Sequence, residues 1–210
     1  GRRPALQRGR VNRALGLAGL IVALGASLMG IAVILSGIRS KRPAQMRLGR
    51  AYAVIVLIGA VVAVAAMQLA LAQRDYTVAY VAEHGSSTTP TLFNIATMWS
   101  ALEGSILLWG LILAGYLAVV ANKFRKRLDD PLVGWALITM FVICVFFFGL
   151  MLTAANPFQG NVPPAGFDGP GLRSAIDSSL AANAGVGAPT TWVTDNHDTP
   201  RSVSRLGQNA

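Results

Sequence analysis

The sequence predicts an all-α, polytopic membrane protein with four transmembrane helices, followed by a disordered tail. Three observations carry this. Apolar residues make up 53% of the 210-residue chain. Charged residues make up 13%, about half the usual share, and the mean hydropathy is +0.52. The charges are also clustered, which leaves four long windows with none.

The first window is Ala14 to Ile38, 25 residues without a charge. A cleaved signal peptide is the competing reading, but its apolar stretch runs only about 7–15 residues and no small-x-small cleavage site follows here. The second window is 51–73, the third 104–121 and the fourth 131–155. About 20 apolar residues cross the hydrocarbon core of a bilayer, so each is long enough, the third only just. Backbone groups in lipid must bond to one another, which makes these windows helices despite their many Val and Ile residues.

The segments between the windows set the orientation. Arg39, Lys41, Arg42, Arg47 and Arg50 lie between the first two windows. Lys123, Arg125, Lys126 and Arg127 lie between the third and fourth, and Arg74 alone between the second and third. Basic loops stay in the cytoplasm. The first and third connections are therefore expected inside, with both termini and the 74–103 loop outside. The basic tail 1–13, with Arg2, Arg3, Arg8, Arg10 and Arg13, opposes this rule. The expectation that reconciles them is a true start at Val11, with residues 1–10 non-native. The net charge of +9 is thus assigned to membrane topology and the lipid bilayer. It is not assigned to nucleic acid, for which no binding module is present.

Residues 74–103 form the outer loop. Asp75 to Val81 alternates, with Tyr76, Val78 and Tyr80 on one side, as a short extended or interfacial piece. Gly85 to Pro90 is a polar turn cluster. Thr91 to Trp99 is mildly amphipathic and reads as a short helix on the membrane surface. Trp99 and Trp109 fit the aromatic enrichment of membrane interfaces. On a continuous helix Trp99 and Glu103 are one turn apart, as are the small residues Ser100 and Gly104. Glu103 has two readings. It faces the bundle interior or a watery cavity, as ionisable groups in spans usually do. Alternatively it is a solvated carboxylate near the positive end of a helix.

Four pieces of this sequence, "DYTVAYVA", "PTLFNIATMW", "LEGSILLW" and "LTAANPF", resemble in order and spacing the N-terminal part of the CcmF/NrfE/CycK family. These are cytochrome c-type biogenesis proteins, also called haem lyases. The resemblance covers about Val11 to Gly171. It implies family motifs at Asp75, Tyr76, Tyr80 and Val81, at Trp99, Glu103, Gly104, Ser105 and Trp109, and at Asn156, Pro157 and Phe158. Ser100 stands where the family pattern has glycine. The resemblance also implies haem as the cofactor, and apocytochrome c and other cytochrome c maturation membrane proteins as partners. The implied location is the cytoplasmic membrane of a bacterium. Glu103 is expected to organise the packing of the third span and outer loop; no residue is assigned as catalytic.

The tryptophan-rich WGGxWxWD segment and the histidines of that family are not among these residues, so haem ligands are not expected here. His84 reads as a solvated loop residue. Asp195, His197 and Asp198 have no spacing that fixes a metal site, and no metal is assigned. Cys144, the single cysteine, reads as a small buried hydrophobe. Residues 156–210 are expected to be external and largely disordered, with 173–210 read as frame-shifted and a natural disordered tail as the alternative. Two other functions stay open: a small transporter or channel subunit with Glu103 on a polar path, and a non-catalytic membrane assembly protein.

Overall fold

The computed structural model describes residues 2–86, 90–160 and three isolated positions, Arg173, Asp177 and Leu180; for residues 2–10 and 91 it describes the backbone alone. Six helices follow one another: α1 Arg2–Arg39, α2 Pro43–Ala72, α3 Ala79–His84, α4 Thr91–Thr97, α5 Leu102–Lys123 and α6 Pro131–Leu152. Four of them, α1 from Val11, α2, α5 and α6, are long and apolar enough to cross a membrane. Among the described residues there is no strand beyond one isolated bridge, Val78 with Gly160.

The helices are longer than the charge-free windows. α1 begins at Arg2 and α2 at Pro43, where the windows begin at Ala14 and Ala51. Pro43 suits the first turn of a helix, whose N–H groups have no partner anyway. Arg42 before it is extended, as the residue preceding a proline must be. Arg47 and Arg50 are therefore helical, on the first turns of α2, and the turn between α1 and α2 is short. That turn is closed by Arg42 N–H on Gly37 O at 2.9 Å and Lys41 N–H on Ile38 O at 3.4 Å, with Lys41 left-handed at φ 50°. This is a Schellman ending. α2 ends the same way: Asp75 N–H donates to Ala70 O and Arg74 N–H to Leu71 O, with Arg74 at φ 54°.

The four spans close a ring in the order α1, α2, α5, α6, each packing on the next and α6 returning to α1. α1 and α2 form its tightest seam. A Cβ on Gly19 would lie 2.7 Å from Gly59 O, and a Cβ on Gly59 would lie 2.7 Å from Gly19 O. Neither position has room for a side chain. Ala23 and Ala63 continue the contact one turn on. Small residues let membrane helices approach closely enough for backbone packing to replace the missing hydrophobic drive. Leu20, Ile34, Leu107, Leu117, Phe141 and Phe148 fill the ring's interior, together with Cys144. Ile58, Tyr116, Val119 and Phe146 point outward, as lipid-facing side chains do.

α4 and α5 are separate helices. Ala101 is fully extended before α5 (φ −134°, ψ 171°), so Trp99 with Glu103, and Ser100 with Gly104, are not turns of one helix. The small residues Ser100 and Ala101 read as helical in sequence, but the backbone breaks there so that the chain can drop from α4 into the span.

The chain after α6 is built, at first, into the bundle. Phe158 is fully buried against Gly16 of α1, so the tail expected from Asn156 does not begin there. An aromatic ring with an apolar slot to fill outweighs the polar residues around it. The rest of that tail, with the 173–210 stretch and Asp195, His197 and Asp198, lies outside the described residues. Arg173, Asp177 and Leu180 are the exceptions, each helical and exposed.

Candidate functional site

One end of the ring carries most of the side-chain hydrogen bonds that link separate elements. It gathers the start of α1, the end of α2, α3, α4, the start of α5 and the segment 156–160. Each is drawn in by a local cause. Asp75 turns the chain after α2, its Oδ1 accepting from Thr77 N–H at 3.3 Å and Thr77 Oγ1 at 2.7 Å, an Asx turn. Val78 then pairs with Gly160, and Ala79 N–H donates to Gln159 O at 2.9 Å. Asn156 makes the matching turn, its Oδ1 accepting from Phe158 N–H at 2.9 Å.

Asn12 ties α1 to this end. Its amide donates to Gln73 Oε1 at 3.1 Å and to Asp75 Oδ2 at 2.9 Å, and the residue is buried. Arg13 Nε donates to Phe158 O at 3.2 Å. The first span is thereby joined to the end of the second through Asn12 and to the segment after the last span through Arg13.

Tyr80 occupies the centre. It is buried, and its hydroxyl lies 2.9 Å from Thr97 O and 2.8 Å from Met98 O. The single phenolic proton is shared between these carbonyls at the C-terminus of α4. Gly104 lies against the same atoms, with the Tyr80 hydroxyl and Met98 O where its Cβ would be. Burial pushes the Tyr80 phenol above its ordinary value near 10, the polar groups of Ser100 and Ala101 pull it down, and the charge of Glu103 pushes it up again. Ser105 Oγ donates to Trp99 O at 3.0 Å and Ser100 Oγ to Thr97 O at 2.8 Å, which fixes the break before α5.

Beside Tyr80 is a cleft of about 90 Å³ lined by Tyr80, Glu83, Glu103, Ala154, Asn156, Pro157 and Gln159 among others. Glu103 is half-buried in the first turn of α5. It stands at the helix entrance and also on an open, polar-lined cleft, at the end of the ring and away from its apolar interior. Glu83 is exposed.

Most of the expected residues meet here. Tyr80, Glu103, Asn156 and Pro157 line the cleft, Val81 and Phe158 are buried under it, Gly104 and Ser105 hold the break, and Asp75 supports α3. Tyr76 is half-buried. Trp99 is exposed on the turn, and Trp109 points outward on α5, away from the cleft. His84 stacks on Tyr80, ring centroids 4.6 Å apart, with Nδ1 3.1 Å from Tyr80 O, so it is a packed residue and not a freely solvated one. Among the described residues no three His, Cys, Asp or Glu side chains are grouped to hold a metal. Sequence reading missed Asn12, Gln73, Glu83 and Gln159.

The cleft beside Tyr80 is too small for a haem. It is about 90 Å³, against roughly 300–1,000 Å³ for cofactor sites.

The opposite end is basic. Arg39, Lys41, Arg42, Arg47, Arg50, Lys123, Arg125, Lys126 and Arg127 are all exposed there. Arg47 meets Asp129 at 3.7 Å and Arg127 meets Asp130 at 2.8 Å. Asp130 caps α6, and the Leu132 N–H, then Arg127, hold its carboxyl below the usual range.

No family model matches the chain. It is 30% identical over 157 residues to the cytochrome c-type biogenesis protein CcmF of Escherichia coli K12, covering 75% of this chain and 24% of that protein. It is 30% identical over 152 residues to the cytochrome c-type biogenesis protein CycK of Rhizobium meliloti, covering 72% of this chain and 22% of that one. A solved structure of the cytochrome c haem lyase CcmF superposes with a TM-score of 0.66 at 37% identity, over 70% of this chain and 25% of that one. The chain thus spans about a quarter of the length of the relatives it matches.

Proposed function

Since the chain belongs, over about three quarters of its length, to the CcmF/NrfE/CycK family of cytochrome c-type biogenesis proteins, we propose that it serves cytochrome c maturation as one part of a haem lyase. Its own role is positioning. The four spans carry an outer platform on which Tyr80, Glu103 and Asn156 are held together, and this platform meets the rest of the haem-ligating machinery. The observation that carries the reading is the convergence of three separate stretches, 75–81, 97–105 and 156–158, on one cleft.

The proposed partners are apocytochrome c and other membrane proteins of cytochrome c maturation. Haem is the proposed cofactor of the whole assembly, with its ligands outside the residues described here. We place the protein in the bacterial cytoplasmic membrane, with the basic end in the cytoplasm and the Tyr80 platform outside. Nine exposed cations at one end support that orientation.

A transporter or channel needs a polar path through the ring. Among the described residues the buried polar side chains are Asn12, Ser27 and Asn94. Of these only Ser27 lies deep in a span, and its hydroxyl is bonded back to Ala23 O at 2.7 Å. The apolar interior favours the assembly role.

The test is site-specific photocrosslinking from Glu83 or Gln159, both on the rim of the cleft. Adducts with apocytochrome c or a maturation membrane protein are expected from these positions and not from Phe146, on the lipid side. Equal adducts from all three, or none from the rim, would overturn the proposal.

A further inference from the structure

α4 is amphipathic in the wrong sense for a helix in water. Leu92 is 76% exposed, Phe93 61% and Ile95 50%, whereas Asn94 is 5% exposed. The Asn94 side chain points into the protein, and Leu92, Phe93 and Ile95 point out. Trp99 and Leu102, just beyond it, are exposed too. No charged residue occurs from 85 to 102, so no charge on this segment holds α4 in water.

Its height is fixed by α2. Gln68 Nε2 donates to Ile95 O at 3.3 Å and lies 3.3 Å from Met98 Sδ. Gln68 is 18 residues along α2 from Arg50, which is about 27 Å at 1.5 Å per residue. Arg50 is the last charge of the basic end. A hydrocarbon core about 30 Å thick that starts at Arg50 therefore ends close to the level of Ile95 and Met98. Leu69, next to Gln68 on α2, and Leu102, at the start of α5, are exposed as well.

We infer that α4 lies in the outer leaflet, with Leu92, Phe93 and Ile95 inserted among the lipid acyl chains near the headgroup boundary. Interfacial helices bury an apolar face to this kind of depth. The occupant of the face is lipid and not a protein partner, because the face is apolar, lies at the outer edge of the hydrocarbon core and has no charged residue beside it in sequence. The consequence is mechanical. Thr97 O and Met98 O, which hold the Tyr80 hydroxyl, belong to a helix anchored in the membrane, so the height of the Glu83 and Glu103 cleft above the bilayer is set by lipid. This inference is independent of the haem lyase reading.

The test uses the full chain in phosphatidylethanolamine–phosphatidylglycerol vesicles, with Cys144→Ala as background. A nitroxide is attached in turn at Leu92→Cys, Phe93→Cys and Ile95→Cys, and at Glu83→Cys as the aqueous control. Collisions with oxygen, which partitions into lipid, are compared with those of a water-soluble nickel chelate. The expected result is strong oxygen and lost nickel relaxation at 92, 93 and 95, with nickel relaxation kept at 83. Strong nickel relaxation at the three positions places α4 in water and overturns the inference. Weak relaxation by both agents places a protein surface on α4 and overturns it equally. Trp99 in the unmodified chain gives a second readout. Its emission, obtained by difference from Trp99→Phe, should be quenched by lipids brominated near the headgroup; unquenched emission would contradict the insertion.

Discussion

The hydroxyl of Tyr80 stands where a side chain on Gly104 would be. One residue comes from a short helix of the outer loop, the other from the first turn of a membrane span. Their contact is what seats the loop on the ring.

Gly104→Ala should therefore unseat it. The new methyl would meet Met98 O, a backbone atom, as well as the Tyr80 hydroxyl, so relief by side-chain movement is not enough. Overpacking of this kind costs about 1–3 kcal/mol. The expected outcome is a lower unfolding temperature in detergent and faster proteolysis within 85–101, with the four spans still inserted. Unchanged proteolysis would contradict the packing described.

Tyr80 should make the outer loop sensitive to alkali. Its folded-state pKa is raised above the ordinary value near 10, chiefly by burial. Between the unfolded and folded values the native state keeps a proton that the unfolded state has lost. The stabilisation is thus complete below about pH 10 and declines as the pH rises through the folded value. Proteolysis of the loop should accelerate above pH 10 in the parent and stay flat in Tyr80→Phe.

Asn12→Leu should loosen the closure between α1 and α2 at their outer ends. The amide is buried and donates to the charged Asp75 carboxylate at 2.9 Å; hydrogen bonds to charged groups contribute about 1.5–3 kcal/mol. Hydrogen exchange at Asp75 and Thr77 should rise, while exchange near Gly19 and Gly59 is unaffected.

At that seam, deeper in the bilayer, Gly59→Leu should act on the packing of the two helices. The α1 backbone at Gly19 O leaves no room for a Cβ, and bulk there should separate the two helices. A disulfide between Ala23→Cys and Ala63→Cys, formed in the parent, should be lost in the Gly59→Leu chain.

The spans were legible in sequence because a charge-free run of about 20 residues has few other uses. Their ends were not. Arg47 and Arg50 break the apolar window but not the helix, since a span can carry its cations on opening turns that reach into the headgroups. The site residues came from motif resemblance, and the structure gathers most of them. What escaped was non-local: Asn12 reaches Gln73 and Asp75 across more than 60 residues, and its place in a basic tail hid it. Ser100 and Ala101 escaped for another reason. Small residues are compatible with a helix, and only the need to drop from α4 into α5 breaks it there.

The most direct measurement is haem staining of c-type cytochromes in cells lacking their own CcmF. The cells carry a chimera in which this chain's residues 11–160 replace the matching quarter of the relative. The account predicts stained cytochromes with the parent segment. It predicts reduced staining with Glu103→Gln and with Gly104→Ala at equal membrane levels of chimera. A parent chimera that reaches the membrane normally and yields no stained cytochrome would contradict the account, as would full staining from both variants.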